Sequence, residues 1–466
     1  MAKINVKPQA KMVTTHEGAR VIECDNSEKL RRAVQACMLW EDSFYVDGKT
    51  HASYISELIG KVKASVAQQV AIDAREKYKL RHAPLLVARE MLRHPNHKMF
   101  AADTIEKIIQ RPDELTEFLA IYWTDQVQKG TKRVGYDSVP NLVSEFKKTP
   151  IAAQAKKGLA RAFTKFDEYQ LAKYNRDGAV KLRDVLFLSH AKPKDEAQAQ
   201  LWKRLVNGEL ATPDTWETNL SAGASKKETF ERLMKERKLG GLALLRNLRN
   251  MTQAGCDEKL IRESIRNMKV ERILPFRFIT AAKYAQKYED VLEEAMLKCL
   301  GSMDKMPGKT VLLVDVSGSM QGALSGKSEM NRFEAACGVA MLAREVCEDV
   351  AIYTFSNSVR AIAPRRGFGL RDEITRKAEW GGTYLKGAIE SINKSEKYDR
   401  IIVFTDEQSH DGVGSIAKGA NGYIVNVASY INGVGYNTNW VHVNGFSEAT
   451  IDYIREYEKE FLRKVA

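Results

Sequence analysis

Apolar residues follow two different patterns along this chain, and the change occurs near residues 303–308. Before this point they recur every three to four positions, for example over residues 30–38 and 58–66, a spacing that predicts amphipathic helices. Proline-containing turns such as residues 111–113 separate the helical runs. No clear strand pattern occurs in this part, so we predict an all-helical domain over residues 1–305.

The sequence constrains the arrangement of these helices less than their existence. Many helices of moderate length with short breaks favour an α-solenoid, a stack of antiparallel helix pairs. An irregular helical domain remains the alternative, because no fixed-period repeat is present. Asp113 and Asp214 each follow a proline and are predicted to start helices. Residues 1–19 are basic and polar, and they either are disordered or pack as an arm.

From residue 306 onwards, short β-rich runs alternate with helical patterns. This alternation predicts an α/β domain over residues 306–466, with a mainly parallel sheet covered on both faces. Ligands bind at the carboxyl ends of the strands in this class of fold. The predicted strands cover residues 310–314, 350–355, 400–405 and 422–427, and the predicted helices cover residues 331–346, 384–392 and 448–464.

Three loops with oxygen-bearing side chains are predicted to meet at that edge of the sheet. The D-x-S-x-S run 315–319 follows the first strand, residue 406 follows strand 400–405, and the Gly-Gly-Thr run 381–383 opens the helix between them. Carboxylate and hydroxyl oxygens suit a hard cation, so we predict a site for Mg²⁺ or another divalent cation. A serine-rich turn with a helix-capping aspartate, the alternative, leaves the other two loops unexplained. The predicted ligands are Asp315, Ser317, Ser319, Thr383 and Asp406.

This set of residues resembles the metal-ion-dependent adhesion site of von Willebrand factor A domains. The resemblance covers the chain from about Lys309 to its carboxyl end, and all five ligand positions match. It implies a Rossmann-like α/β fold for this part. Occupancy by a metal is a separate expectation, since such a site could mainly stabilise its loops.

Composition restricts the partners and the compartment. The chain has 466 residues, a net charge of +13 and a pI of about 9.2. This charge favours a polyanionic partner, either nucleic acid or, less readily, an anionic membrane surface. No apolar run is long enough to cross a bilayer and no signal-peptide pattern is present, so we expect a cytoplasmic protein without a membrane partner. Six scattered cysteines without a C-x-x-C pair indicate reduced core thiols rather than a zinc site.

Several basic residues are candidates for contacts with RNA. Lys173, Arg176 and His190 could share one surface, where lysine and arginine neutralise phosphates and histidine contacts an unpaired base. The alternative is that residues 188–193 simply end a helix, with His190 near its carbonyl groups. Four further candidates, each of which could instead lie on a solvated helix face, are Lys132, Arg133, Arg246 and Arg249.

Three segments resemble the Ro autoantigen family, whose helical part is the TROVE module. They are R-D-V-L-F-L-S-H-A-K-P at residues 183–193, G-L-A-L-L-R-N-L at 241–248 and I-L-P-F-R at 273–277, in the family's order and before an A-type domain. The resemblance, to a member of the bacterial or phage type, implies a ring of HEAT-like helix pairs closed by the A-type domain. It also implies Y RNA on the outer surface and single-stranded ends of misfolded or fragmented noncoding RNA in a basic central hole.

The same resemblance assigns the Y RNA-contacting lysine and histidine of the family to Lys173 and His190. A nearby basic position of the family is Asp177 here, with Arg176 beside it. Arg176 replaces that contact, or the RNA docks differently.

The sequence thus favours a monomeric, non-enzymatic scaffold that binds Y-like RNA and defective noncoding RNA in RNA quality control. An exoribonuclease tethered through the RNA is an expected partner. No catalytic constellation accompanies His190, Ser317 or Ser319, and no P-loop is present. Two alternatives remain: a metal-dependent protein-binding scaffold without direct RNA binding, and a metal-dependent nuclease.

Overall fold

The computed structural model describes most of the chain in two compact units. One unit contains the described residues of Asn26–Trp40 and Gly48–Thr218, and the other contains those of Met1–Asp25 and Asn219–Ala466. Each unit is considered by itself. The described residues are 12–15, 18–22, 25–36, 48–123, 150–270, 273, 275–300, 304–324, 330–428, 433–436, 438–445, 450–455 and 457–458.

The first unit is helical in every described element. Helices that follow one another in the sequence pack together and bury one continuous apolar cluster. For example, α3 (Ala64–Glu76) packs on α4 (His82–Arg93), and α4 packs on α5 (Lys98–Ile108). The run 58–66 belongs to two helices, because residues 60–63 separate them. The helices are α1 Asn26–Ala36, α2 Gly48–Ile59, α3 Ala64–Glu76, α4 His82–Arg93, α5 Lys98–Ile108, α6 Pro112–Trp123, α7 Ala153–Phe163, α8 Glu168–Tyr174, α9 Leu182–Ser189, α10 Glu196–Asn207 and, at the boundary of the unit, α11 Trp216–Ser221.

Helix starts agree with the proline signals to within two residues. Asp113 lies in the first turn of α6, which begins at Pro112. Asp214 lies two residues before α11. At the start of this helix, the Thr215 hydroxyl rather than the Asp214 carboxylate accepts a backbone N–H, that of Thr218. The acidic side chain near the positive end of the helix dipole favours the first of these starts.

The prediction that no strand precedes residue 303 was wrong. β1 (Met12–Thr14) and β2 (Arg20–Ile22) form an antiparallel hairpin. Three-residue strands are too short to show an alternating pattern, so their sequence carries no detectable signal. The Thr15 hydroxyl donates to the carbonyl of Ser409 over 3.1 Å, and Val13 packs on the core of the α/β domain. These residues therefore pack as an arm.

The second unit also contains five helices that precede the sheet. They are α12 Lys226–Lys235, α13 Gly241–Gln253, α14 Glu258–Asn267, α15 Phe276–Tyr284 and α16 Glu289–Leu300. The last two pack directly on helices of the α/β domain. This packing explains why the compact units do not divide at residues 305 and 306; that domain boundary stays a prediction.

A six-stranded sheet begins at Met306. Its strands are β3 (Met306–Asp315), β4 (Cys347–Phe355), β5 (Val359–Ile362), β6 (Arg400–Thr405), β7 (Asn421–Asn426) and β8 (Trp440–Asn444), and they lie in the order β5-β4-β3-β6-β7-β8. All neighbouring pairs are parallel except β4 with β5, which agrees with the predicted, mainly parallel sheet. β5, α18 and β8 were not predicted, and residues 450–455 are helical within the predicted final helix. The elements are β3 Met306–Asp315, α17 Arg332–Val346, β4 Cys347–Phe355, β5 Val359–Ile362, α18 Gly367–Lys377, α19 Leu385–Ser395, β6 Arg400–Thr405, β7 Asn421–Asn426 and β8 Trp440–Asn444.

The described cysteines and helices have two further properties. Burial raises the pKa of the Cys337 thiol, which makes it an inert core residue. Among the described helices, none combines the length and the apolar character that crossing a membrane requires. The cysteines of the described part all carry free thiols, and they are Cys256, Cys299, Cys337 and Cys347.

Candidate metal centre and arginine groove

The five predicted metal ligands meet at the carboxyl edge of the sheet. β3 and β6 are adjacent and parallel, so Asp315 at the end of one lies beside Asp406 after the other. The Gly318 N–H donates to the Gly381 carbonyl over 2.9 Å, which joins the first loop to the loop that carries Thr383. We call these five side chains the metal edge.

Most of the metal edge is withdrawn from solvent. Asp315, Ser317 and Asp406 are fully buried, Thr383 is nearly so and Ser319 is half-buried. The Ser317 and Ser319 hydroxyl oxygens lie 3.2 Å apart. Buried carboxylates need compensation by hydrogen bonds or by cations.

Hydrogen bonds supply part of this compensation for Asp315. One carboxylate oxygen accepts the Ser317 N–H over 2.9 Å, and the other accepts the Thr405 hydroxyl over 2.6 Å. Burial and then repulsion by Asp406 nevertheless raise the pKa of Asp315 to about 7. The proximity of the two carboxylates therefore disfavours the ionised form of Asp315, and a bound cation would favour it.

The residues present fit a hard divalent cation by their chemistry. All side-chain donors of the metal edge are oxygens, two from carboxylates and three from hydroxyls, as Mg²⁺ prefers. In the described ranges, no cluster of three or more His, Cys, Asp or Glu side chains offers a different metal site.

Two loops of the metal edge contain strained backbone. Trp380 and Glu407 have φ values of 56° and 61°, a region unfavourable for residues other than glycine. Trp380 is held by an edge-on contact with Phe333, with ring centroids 4.8 Å apart. Glu407 is held by His442, whose Nδ1 lies 2.7 Å from its carboxylate. The surrounding packing thus holds Thr383 and Asp406 in position.

A second candidate site is a groove between α13 and α15, with a volume of about 350 Å³. Its floor is apolar and includes the buried Leu245, Leu248 and Ala281. Its rim carries three exposed arginines and Tyr284, whose side chain is 37% exposed. We call it the arginine groove; its charged rim consists of Arg246, Arg249 and Arg277.

The guanidinium groups of the arginine groove differ from those of other surface arginines. Within the described part of the chain, none of the three has a carboxylate in ion-pair distance. By contrast, Arg204, Arg232 and Arg376 each pair with a glutamate. The groove therefore combines an apolar floor with positive charge that is open to a phosphate.

Two family models match the chain, in this order along the sequence. Residues 202–335 match the TROVE domain, and residues 310–408 match the von Willebrand factor type A domain. The structure is also similar to the crystal structure of the Ro (RSR) protein of Deinococcus radiodurans. The two structures superpose with a TM-score of 0.56 and a sequence identity of 20%, and the match covers 90% of this chain and 97% of that chain. None of the curated protein sequences matches.

The matched parts of the chain are therefore a TROVE domain followed by a von Willebrand factor type A domain, and the fold is similar to that of the Ro (RSR) protein. The predicted fold class, a helical-repeat part followed by an A-type α/β domain, is confirmed. Of the three Ro-like segments, 241–248 and 273–277 lie inside the TROVE match, whereas 183–193 precedes it.

Two of the other predicted RNA contacts, Lys173 and His190, have different neighbours. The Lys173 ammonium lies 5.8 Å from the centre of the Tyr174 ring, which Arg111 also covers at 4.6 Å. Exposed His190 ends α9 with φ 55°, and its Nε2 lies 3.5 Å from the Lys156 ammonium. No contact joins Lys173 to His190 in the described part.

The remaining predicted RNA contacts and their neighbours are considered by position. Arg176 is exposed, and Asp177 pairs with Lys181 over 2.6 Å, so its charge is partly neutralised. Lys132 and Arg133 lie outside the described residues. The RNA roles of all these residues stay predictions.

Three residues of the candidate sites were not predicted. Arg277 and Tyr284 belong to the arginine groove, and Arg277 ends a Ro-like segment, so the resemblance offered a signal for it. Arg332 contacts Asp406 at the metal edge but lies within an ordinary helix pattern. Nothing in the local sequence distinguishes it from a surface arginine.

Proposed function

We propose that this protein is a non-enzymatic scaffold for noncoding RNA, and that the arginine groove binds an unpaired segment. The observation that carries the proposal is the cluster of three arginines inside the TROVE match, which have no carboxylate partner among the described residues. Single-stranded RNA offers phosphates to guanidinium groups and base faces to aromatic side chains. The half-exposed Tyr284 and the apolar floor suit a base, and the rim suits its phosphates.

A preference for unpaired ends is the first test of this proposal. We expect a hairpin with a single-stranded 3′ tail to bind more tightly than the same hairpin with a blunt end, measured by fluorescence anisotropy at low salt. Because the bases of a duplex are paired and stacked, duplex RNA cannot bring a base and its phosphate into the groove together. Equal affinity for the two hairpins would contradict the assignment.

Y-like RNA is proposed to bind a different surface, around Lys173 and His190. On α9, the 60% exposed Phe187 lies in the last turn before His190 and adds an aromatic surface for stacking. Replacing Lys173 and His190 together by alanine is expected to weaken Y-like RNA binding about 10-fold or more, from the loss of two charge-assisted or stacking contacts. Electrophoretic mobility shift would measure it.

The control for this prediction is Lys98→Ala, which removes an exposed lysine of α5. We expect its affinity for Y-like RNA to equal that of the wild type. Unchanged binding by the Lys173/His190 double variant would reject the outer-surface assignment and leave the arginine groove unaffected.

The metal edge is proposed to hold Mg²⁺ or another hard divalent cation through the five oxygen donors. A bound ion would supply positive charge and accept an anionic group from a ligand. Saturating Mg²⁺ is expected to raise the Tm of the wild type, since 100 times the Kd stabilises by about 2.7 kcal/mol. Asp315→Asn should abolish the response, whereas Asp372→Asn, at an exposed position of α18, should keep it.

The scaffold role excludes cleavage of the bound RNA. We expect labelled RNA to remain intact during incubation with the protein and Mg²⁺, in the wild type and in Asp315→Asn alike. Cleavage by the wild type alone would instead support a metal-dependent nuclease. A cytoplasmic role in RNA quality control, with an exoribonuclease brought to the RNA, belongs to the same proposal.

A further inference from the structure

We propose that Arg332 is a built-in cation of the metal edge, which balances Asp406 when no metal is bound and lowers the affinity for a divalent cation. The inference rests on the proposed metal binding, and it concerns the strength and occupancy of that site. It gives the site two states: one held together by the guanidinium group and one held by the metal.

The contacts of Arg332 support this role. Its Nη1 lies 2.9 Å from the Asp406 carboxylate and 3.2 Å from the Ser319 carbonyl oxygen. It thereby joins two of the three loops that form the metal edge. The side chains of Arg332 and Asp406 are 1% and 0% exposed, so water screens their interaction little.

The backbone fixes where the guanidinium group can lie. Arg332 is the first residue of α17, whose start is held by a capping box between Asn331 and Glu334. The Arg332 N–H also donates to the Gly322 carbonyl over 3.0 Å. A Cβ atom at Gly322 would lie 3.4 Å from the guanidinium group, so this loop lies directly against it.

The charges then predict the effect on a metal. With both aspartates ionised, they and Arg332 together carry one negative charge, which a divalent cation would change to one positive charge. Without Arg332, the same carboxylates would carry two negative charges and attract the cation more strongly. Because the site is buried, this difference of one charge is worth on the order of 10-fold or more in affinity.

The excess charge also restricts the ligand of a loaded site. With Arg332 in place, an ion bound at the metal edge leaves a net positive centre. An anionic group, such as a carboxylate or phosphate, would complete it. Arg332 therefore weakens the binding of the metal but favours an anion once the metal is bound.

Mn²⁺ binding to the full chain tests the inference, with free Mn²⁺ measured by electron paramagnetic resonance. We expect Arg332→Gln to bind Mn²⁺ at least about 10-fold more tightly than the wild type, and Arg332→Lys, which keeps the charge, to remain within about 3-fold of it. Without Mn²⁺, Arg332→Gln should have a lower Tm than the wild type. Added Mn²⁺ should raise the Tm of this variant by more than it raises the Tm of the wild type. A purely structural arginine would not tighten the site.

The outcomes separate this inference from the proposed metal function. If the wild type binds Mn²⁺, Asp315→Asn does not, and Arg332→Gln binds no more tightly, the role of Arg332 is rejected and the metal site stands. If neither the wild type nor Arg332→Gln binds, both proposals fail. Binding by Arg332→Gln alone would support both, with the wild-type site held closed by Arg332.

A second comparison covers the case in which Arg332→Gln does not fold. The double variant Arg332→Gln/Asp406→Asn removes both members of the buried pair, so it leaves no unpaired charge. It should bind Mn²⁺ more tightly than Asp406→Asn alone. Equal or weaker binding by the double variant would overturn the inference.

Discussion

Binding of single-stranded RNA is expected to weaken on the order of 1,000-fold or more when Arg246, Arg249 and Arg277 are replaced together by glutamine. The estimate assumes that each guanidinium group makes one charge-assisted hydrogen bond to a phosphate, worth about 1.5–3 kcal/mol. The dependence of log K on log salt should also become shallower by about 2, because three phosphate contacts each contribute about 0.7 for a single strand. Anisotropy titrations over a range of salt concentrations would measure both quantities.

A matched control separates the arginine groove from the overall positive charge. Arg204, Arg232 and Arg376 are surface arginines that pair with carboxylates, and replacing them by glutamine lowers the net charge by the same three units. We expect this variant to keep nearly wild-type affinity. If both triple variants lose affinity equally, the protein binds RNA through its overall field, and the groove is not the site.

Replacing Glu114 by alanine is expected to destabilise the first unit by about 3–5 kcal/mol, because it leaves a buried guanidinium group without its carboxylate. The Arg75 and Glu114 side chains are only 9% and 1% exposed, and the Arg75 Nη2 lies 2.5 Å from the Glu114 carboxylate. The second oxygen of this carboxylate accepts the backbone N–H of Gln110 over 2.7 Å, so the turn between α5 and α6 also loses a partner. Urea denaturation followed by circular dichroism would give the loss of stability.

An exposed ion pair in the same unit provides the control. Asp103 accepts from Arg161 over 2.6 Å, but these side chains are 58% and 40% exposed. Asp103→Ala should therefore cost less than about 1 kcal/mol. A loss below 1 kcal/mol for Glu114→Ala as well would show that water or an anion reaches Arg75 after the substitution.

Much of the metal edge could be predicted because its information is local. The D-x-S-x-S run places three donors on one loop, directly after an apolar strand that the pattern makes obvious. Parallel strands then bring the end of β6 to the same edge, so Asp406 follows from the fold class alone. Arg332 could not be predicted in the same way. Its helical pattern is ordinary, and only the packing of α17 against the sheet turns its side chain towards Asp406.

The RNA surfaces show the same division. Arg246 and Arg249 are neighbours on one helix, and both lie in or directly after the Ro-like segment 241–248, so the sequence alone makes them candidates. Tyr284 joins them only because α13 packs against α15, a contact between residues about 30 positions apart. Lys173 and His190 have different neighbours, and the prediction that they share one RNA-binding surface stays a prediction.

The sequence by itself determined the helical and α/β parts, the order of the strands that carry ligands, and the resemblance to the Ro family. These depend on periodicity and on short motifs, which are properties of contiguous residues. Only the tertiary structure decided which cations lie open and which are neutralised. That depends on contacts between distant residues: the same arginine type is a free rim charge at 277, a surface ion pair at 204 and a buried counter-ion at 332. Burial and the distance to a carboxylate set the role of each, and neither is written in the neighbouring sequence.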